Sequence, residues 1–304
     1  MIIIILLLIQ PVIYSYKFTK PYNVPWVCQL EDLDVKDSSN LDYITKVFER
    51  VPIVIFKNQK VTSLEYYNFV KKLDKTHDKN DNCYHPFESD NLIHHVGIRD
   101  NSVTSEHSKY NNLWHMDIVG SEFLPNVVSS LYFENVPIYG GETLFSNLET
   151  GYSKIDMDFK SYLNQLVSIY DKSRIIAPIM LDSNGFRKLD KHIKISEESS
   201  LRQPFIFYPN PSYTKKSILF SPFRFSHFEG LSSEQSWDLL DNIFSNYINT
   251  PDNTVSIKWD KNDLVIFNNR LLLHSSTTSE VFKDEKRFFK IIFLSTKVPI
   301  NGVN

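Results

Sequence analysis

Asn111-Asn112-Leu113-Trp114-His115-Met116-Asp117 sets an imidazole and a carboxylate two residues apart in an apolar setting. The stretch reads as a strand, in which successive side chains alternate faces, so His115 and Asp117 project to one side and Met116 to the other. Such a pair is a two-toothed metal clamp. A lone His-x-Asp is equally what a surface pair or a satisfied core histidine looks like, so its companions along the chain decide its meaning.

Downstream, Pro125 to Asn135 alternates Val127, Ser129, Leu131 and Phe133 with Val128, Ser130 and Tyr132, the pattern of a core strand. It ends in the turn Pro137-Ile138-Tyr139-Gly140-Gly141, and Glu142 to Phe145 begins another short strand. A mostly helical segment is expected from Tyr152 to Tyr170, with alternating residues again at Arg174 to Leu181. Pro204 to Pro211 and Ser217 to Phe220 read as a hairpin. Ser232-Ser233-Glu234-Gln235 is a capping box opening a helix striped by Trp237, Leu240, Phe244, Tyr247 and Ile248. Three strands close the chain: Thr254 to Trp259, Leu264 to Phe267, and Phe288 to Ser295.

Upstream, Asn40 is placed to cap a helix running to about Arg50, and Val51 to Phe56 reads as a buried strand. Thr62-Ser63-Leu64-Glu65 is a second capping box, with Tyr66, Phe69, Val70 and Leu73 as the stripe of its helix. Residues 74–112 read as a long polar loop, the kind that is either mobile or functional in a compact domain. Many short strands with helices toward both ends point to a mainly β fold with flanking helices and a closed or sandwiched β core, of which the jelly roll, the cupin-like double-stranded β-helix, is the common form. No repeat or linker divides the chain, so 14–304 is expected to be one domain.

Composition narrows the function. The 304 residues are 42% hydrophobic and 23% charged, with a formal net charge of −3, ample for a core and without the clustered basic footprint of a nucleic-acid binder. A small-molecule partner is the default, and self-association stays open. With 22 Phe and 16 Tyr against 8 Gly, bulky β structure is favoured over a glycine-rich nucleotide sheet. Cys28 and Cys83 lack metal-ligand spacing and read as thiols in a reducing compartment. Residues 1–13, including the aliphatic run Ile2 to Ile9, are a hydrophobic extension or first strand. The run is shorter than the roughly 20 residues of a membrane span, and it lacks the basic start and small-residue cleavage site of a signal peptide. A cytoplasmic location is expected, with secretory or membrane targeting left open.

A third metal ligand should come from a distant strand. His274 qualifies, since it follows Leu264-Val265-Ile266-Phe267 and the polar corner Asn268-Asn269-Arg270. Arg287 heads the last apolar strand, where its planar fork invites a carboxylate. Each of these, taken alone, is also compatible with an ordinary core histidine or a strand-end arginine.

Together the pieces resemble the taurine dioxygenase type of non-haem iron enzyme dependent on 2-oxoglutarate. The resemblance rests on Trp114-His115-Met116-Asp117, Gly140-Gly141-Glu142-Thr143-Leu144, Trp259 to Arg270, His274 and Arg287, and extends from about residue 14 to 296. It implies Fe(II) held by His115, Asp117 and His274, the facial two-histidine, one-carboxylate set that leaves positions open. It further implies 2-oxoglutarate, its distal carboxylate on Arg287 and Thr143, and dioxygen as the oxidant. Succinate and carbon dioxide would be released as a small organic substrate is oxidised, most simply hydroxylated. By position, His85, Asn111 and Phe223 match substrate-contacting residues of taurine-type members. The sequence departs from the pattern at Ile291, where a taurine-using member carries a second arginine for the sulfonate, and this predicts that taurine is not the substrate. It departs again at Asn268, often aspartate in the family. Two rivals stay open: a zinc hydrolase with the same ligands, which would have no use for Thr143 and Arg287, and a binding module of this fold without catalysis.

Overall fold

The computed structural model describes residues 17–74, 94–97, 114–117, 119–120, 123–171, 179–182, 185–188, 200–210, 214–222, 224–277, 288–294, 296 and 298–300. Its strands are β1 (Lys17–Thr19), β2 (Val27–Glu31), β3 (Ile53–Phe56), β4 (His94–Gly97), β5 (Val128–Asn135), β6 (Thr143–Asn147), β7 (Val167–Asp171), β8 (Ile179–Asp182) and β9 (Gly185–Lys188). They continue with β10 (Ser200–Pro204), β11 (Ile206–Phe207), β12 (Ser217–Ile218), β13 (Phe225–Phe228), β14 (Thr254–Ile257), β15 (Leu264–Asn268), β16 (Leu272–Ser276) and β17 (Phe288–Phe293). The helices are α1 (Leu41–Phe48), α2 (Ser63–Leu73), α3 (Leu148–Lys154), α4 (Met157–Leu163) and α5 (Ser233–Ile243).

The main sheet runs in the order β1-β2-β3-β15-β5-β17-β4, and a second sheet, β14-β6-β16, packs against it. Period-two alternation sorts the strands of the main sheet. Ile53 and Ile55, Val265 and Phe267, and Leu131 and Phe133 face inward onto Phe145, Val255, Ile257, Trp259 and Leu272 of the second sheet's side. Val54, Phe56, Leu264, Ile266 and Tyr132 face outward and are covered by α1 and α2 through Ile44, Phe48, Tyr66, Phe69 and Val70. A third cluster joins Trp114 and Met116 to α3, α5 and the β10-β7-β13 sheet. The expected sandwiched β core with flanking helices is thus the observed one.

Both capping boxes form: Thr62 with Glu65 at α2, and Ser232 with Gln235 at α5. Asn40 does not cap α1; its amide instead donates backward to the Asp34 carbonyl at 2.9 Å. The segment from Tyr152 to Tyr170 is not one helix. Asn147 caps α3, Asp156 caps α4 by accepting from the Phe159 N–H, and the β-branched and aromatic alternation of Val167-Ser168-Ile169-Tyr170 forms β7. The loop expected over 74–112 contains a strand, β4, whose backbone pairs with β17 at the sheet edge, a partner that local composition does not reveal. Cys28 is a buried free thiol, and Cys83 lies outside the described residues. Among the described residues, no helix is long and apolar enough to cross a membrane.

Candidate metal centre

The centre is built where the tight corner between β15 and β16 meets the segment around His115. His115 and His274 form an isolated antiparallel bridge, each donating its backbone N–H to the other's carbonyl at 2.9 Å. Residues directly opposite in such a pair carry their side chains on one face. Two imidazoles from distant parts of the chain therefore lie side by side, ring centroids 4.1 Å apart.

The expected His-x-Asp strand does not form. Only His115 bridges, and Asp117 stands in a turn. The reason is hydrogen bonding: the Asp117 N–H donates to Asn269 Oδ1 at 2.9 Å, and its carbonyl accepts from Asn269 Nδ2 at 3.0 Å. An amide side chain has replaced a neighbouring strand. The carboxylate still turns toward the histidines, with Oδ1 3.7 Å from Nε2 of both His115 and His274. All three ligand atoms lie within 4.8 Å of one another. Two ligands at right angles, each about 2.1 Å from an ion, stand about 3 Å apart, so the Asp117 oxygen at 3.7 Å is within an ångström of that spacing from each histidine nitrogen. Among the described residues this is the group of His, Cys, Asp or Glu side chains that could hold a metal ion.

Burial tunes the donors. The His274 side chain is 12% exposed, and its pKa is pushed down to about 3, first by burial and then by neighbouring His115, with Asp117 opposing. It is a neutral donor near neutral pH, as a metal ligand must be. Its Nδ1 is buried without a hydrogen-bond partner among the described residues. The ring is held by its strand and by aromatic walls, Phe267 at 5.1 Å and Phe145 at 6.1 Å. The donor set, two imidazole nitrogens and one carboxylate oxygen on one side, fits ferrous iron.

Thr143, expected at the cosubstrate, is buried on β6, and its hydroxyl accepts from Trp259 Nε1 at 2.9 Å. Its strand partner is Ser276, two residues from His274. Ile291 sits on the inner face of β17, packed against the Phe133, Trp259 and Phe289 cluster. Arg287, His85, Asn111 and Phe223 lie outside the described residues. Asn268, the departure from the family pattern, accepts from the Arg270 N–H through Oδ1, a task aspartate performs equally. Sequence reasoning missed Ser129, whose hydroxyl donates to Asp117 Oδ2 at 2.7 Å, and the role of Asn269. The alternation of β5 placed Ser129 on the inner face, but no spacing rule linked it to residue 117. Arg270 is also structural: fully buried, it donates to the carbonyls of Pro125 and Pro209 and pins the corner.

The model of the taurine catabolism dioxygenase TauD, TfdA family matches residues 18–290. The chain belongs to that family. Among proteins similar to this TauD, TfdA member is the "Putative alpha-ketoglutarate-dependent sulfonate dioxygenase" of Schizosaccharomyces pombe, 26% identical over 228 residues that make up 74% of this chain and 56% of that protein. Another is the alkylsulfatase of Acinetobacter baylyi, 28% identical over 194 residues, 62% of this chain and 57% of that one. The chain thus spans little more than half the length of these relatives. A solved structure of AAD-2 in complex with Mn(II) and N-oxalylglycine superposes with a TM-score of 0.74 at 16% identity, covering 95% of this chain and all of that one, and so shares the fold.

Proposed function

We propose that this protein is an Fe(II)- and 2-oxoglutarate-dependent dioxygenase that oxidises, by hydroxylation, a small organic substrate other than taurine. The carrying observation is the convergence of His115 Nε2, Asp117 Oδ1 and His274 Nε2. Family membership supports it, as do the relatives described as dioxygenases of sulfonates and of sulfate esters. The AAD-2 complex, with its divalent metal and a dicarboxylate, supports the same pairing of ion and cosubstrate.

In this reading His115, Asp117 and His274 hold the iron. Bound there, iron with 2-oxoglutarate supplies the activation of dioxygen, while the protein positions and excludes water. Thr143 and Arg287 take the distal carboxylate, with the Thr143 oxygen fixed by Trp259. His85, Asn111 and Phe223 contact the substrate. Ile291 replaces the second cation of taurine-type members with an apolar side chain in an apolar cluster, so a taurine sulfonate would be left without its charge partner, a loss on the order of a few kcal/mol. Residues 14–304 act as one catalytic unit, with 1–13 a hydrophobic extension or first strand. The proposed location is the cytoplasm, and whether Ile2 to Ile9 acts as a targeting segment is to be tested by the fate of a fusion lacking it.

The test is succinate release from 2-oxoglutarate by the purified protein with ferrous iron, across taurine, other sulfonates, alkyl sulfates and uncharged compounds. The reading expects substrate-stimulated succinate from a compound other than taurine. Taurine as the best substrate would overturn the specificity, and absence of even uncoupled turnover would overturn the activity.

A further inference from the structure

Three fully buried side chains close a ring of hydrogen bonds on Asp117. Asn269 Nδ2 donates to Asn126 Oδ1 at 3.1 Å, and Asn126 Nδ2 donates to Ser129 Oγ at 2.9 Å. Ser129 Oγ donates to Asp117 Oδ2 at 2.7 Å, and the Asp117 N–H returns to Asn269 Oδ1 at 2.9 Å. The remaining amide protons go to the carbonyls of Asp117 at 3.0 Å and Val128 at 2.7 Å.

The ring has one consistent direction. Reversing either asparagine would set a donor against a donor at one contact and an acceptor against an acceptor at another. Ser129 accepts from Asn126, so its single proton is delivered to the carboxylate. That bond engages Oδ2 and leaves Oδ1 aimed at the two histidine nitrogens. A carboxylate gripping an ion through both oxygens would take an additional position, and a site that must admit other ligands needs that position open.

We infer that Asn126, Ser129 and Asn269 are positioning residues that fix Asp117 as a one-oxygen ligand, with Oδ2 held by Ser129 and Oδ1 kept for the metal. The inference rests on the reading of His115, Asp117 and His274 as a metal site. It concerns groups whose hydrogen bonds run to Asp117 and to one another. Outer partners of this kind typically contribute 10- to 100-fold in metal affinity.

Ser130 supplies the control. It is as deeply buried as Ser129 but on the opposite face of β5, where its hydroxyl donates to the Val265 carbonyl at 2.7 Å and accepts from Tyr66 at 3.0 Å. Mn(II) alone is titrated into metal-free full-length protein by calorimetry, for wild type, Ser129→Ala and Ser130→Ala, alongside thermal midpoints. The expected result is that Ser129→Ala weakens Mn(II) binding by roughly 10- to 100-fold, that Ser130→Ala leaves it within about twofold of wild type, and that the two midpoints fall by similar amounts. Should Ser129→Ala not fold, Asn126→Asp is the second variant: the introduced carboxylate competes for the Ser129 proton, and the same loss of affinity is expected. Wild type that binds Mn(II) while Ser129→Ala binds it equally well would overturn the positioning role alone. Equal weakening in Ser129→Ala and Ser130→Ala would reduce the ring to general stability and also overturn it. Wild type that binds no Mn(II) would remove the metal reading and this inference with it.

Discussion

Asp117 and His274 face one another at the same centre but are held by different physics. Asp117 stands in a turn, with its backbone bound by Asn269 and its carboxylate by Ser129, so its place depends on directional hydrogen bonds among buried polar groups. His274 stands in a strand between β6 and the His115 bridge, its Nδ1 unpartnered among the described residues and its ring walled by Phe267 and Phe145. The polar half can be disturbed one bond at a time. The apolar half is continuous with the core, and disturbing it disturbs the fold.

Removing either ligand should have the largest effect. Asp117→Ala and His274→Ala are each expected to lower divalent-metal affinity beyond the roughly 100-fold limit typical of outer partners, read by calorimetry on metal-free protein; retained affinity in either would take that residue out of the centre. Phe267→Ala comes next. Deleting a ring buried to 1% exposure should destabilise the protein by about 3–5 kcal/mol through the cavity it leaves. Denaturant unfolding should reveal this, with metal affinity and stability falling together. If affinity fell while stability held, the His274 side would not depend on packing as argued. Asn269→Ala leaves the N–H and carbonyl of Asp117 and the Asn126 carbonyl oxygen without a partner, at about 1–3 kcal/mol for each group left buried and unpaired. Here metal binding should fall by more than the unfolding midpoint suggests. The smallest effect is expected for Asn268→Asp, which preserves the acceptor for the Arg270 N–H and should change stability by less than about 0.5 kcal/mol with unchanged affinity; a large change would mean that the corner does more than turn the chain.

The same contrast explains what could be read from the sequence. Strand alternation made the two faces of β5 legible, and capping chemistry marked the starts of α2 and α5, because these patterns are local and periodic. The three ligands were legible as residue types with a familiar spacing. Their supports were not. Ser129 and Asn269 are ordinary polar residues whose partners lie 12 and 152 positions away, and no local rule connects them. The turn at Asp117 was misread as strand for the same reason, since the amide that satisfies its backbone comes from another part of the chain. Strand β4 escaped because it is defined by a neighbour's unpaired edge and not by its own composition.

The most direct measurement is anaerobic addition of ferrous iron and then 2-oxoglutarate to the purified protein while the visible spectrum is recorded. The account predicts a charge-transfer band that saturates with one equivalent of iron, needs 2-oxoglutarate, and vanishes in Asp117→Ala and His274→Ala. A spectrum that stays featureless in the wild type, or a band that survives loss of either ligand, would contradict it.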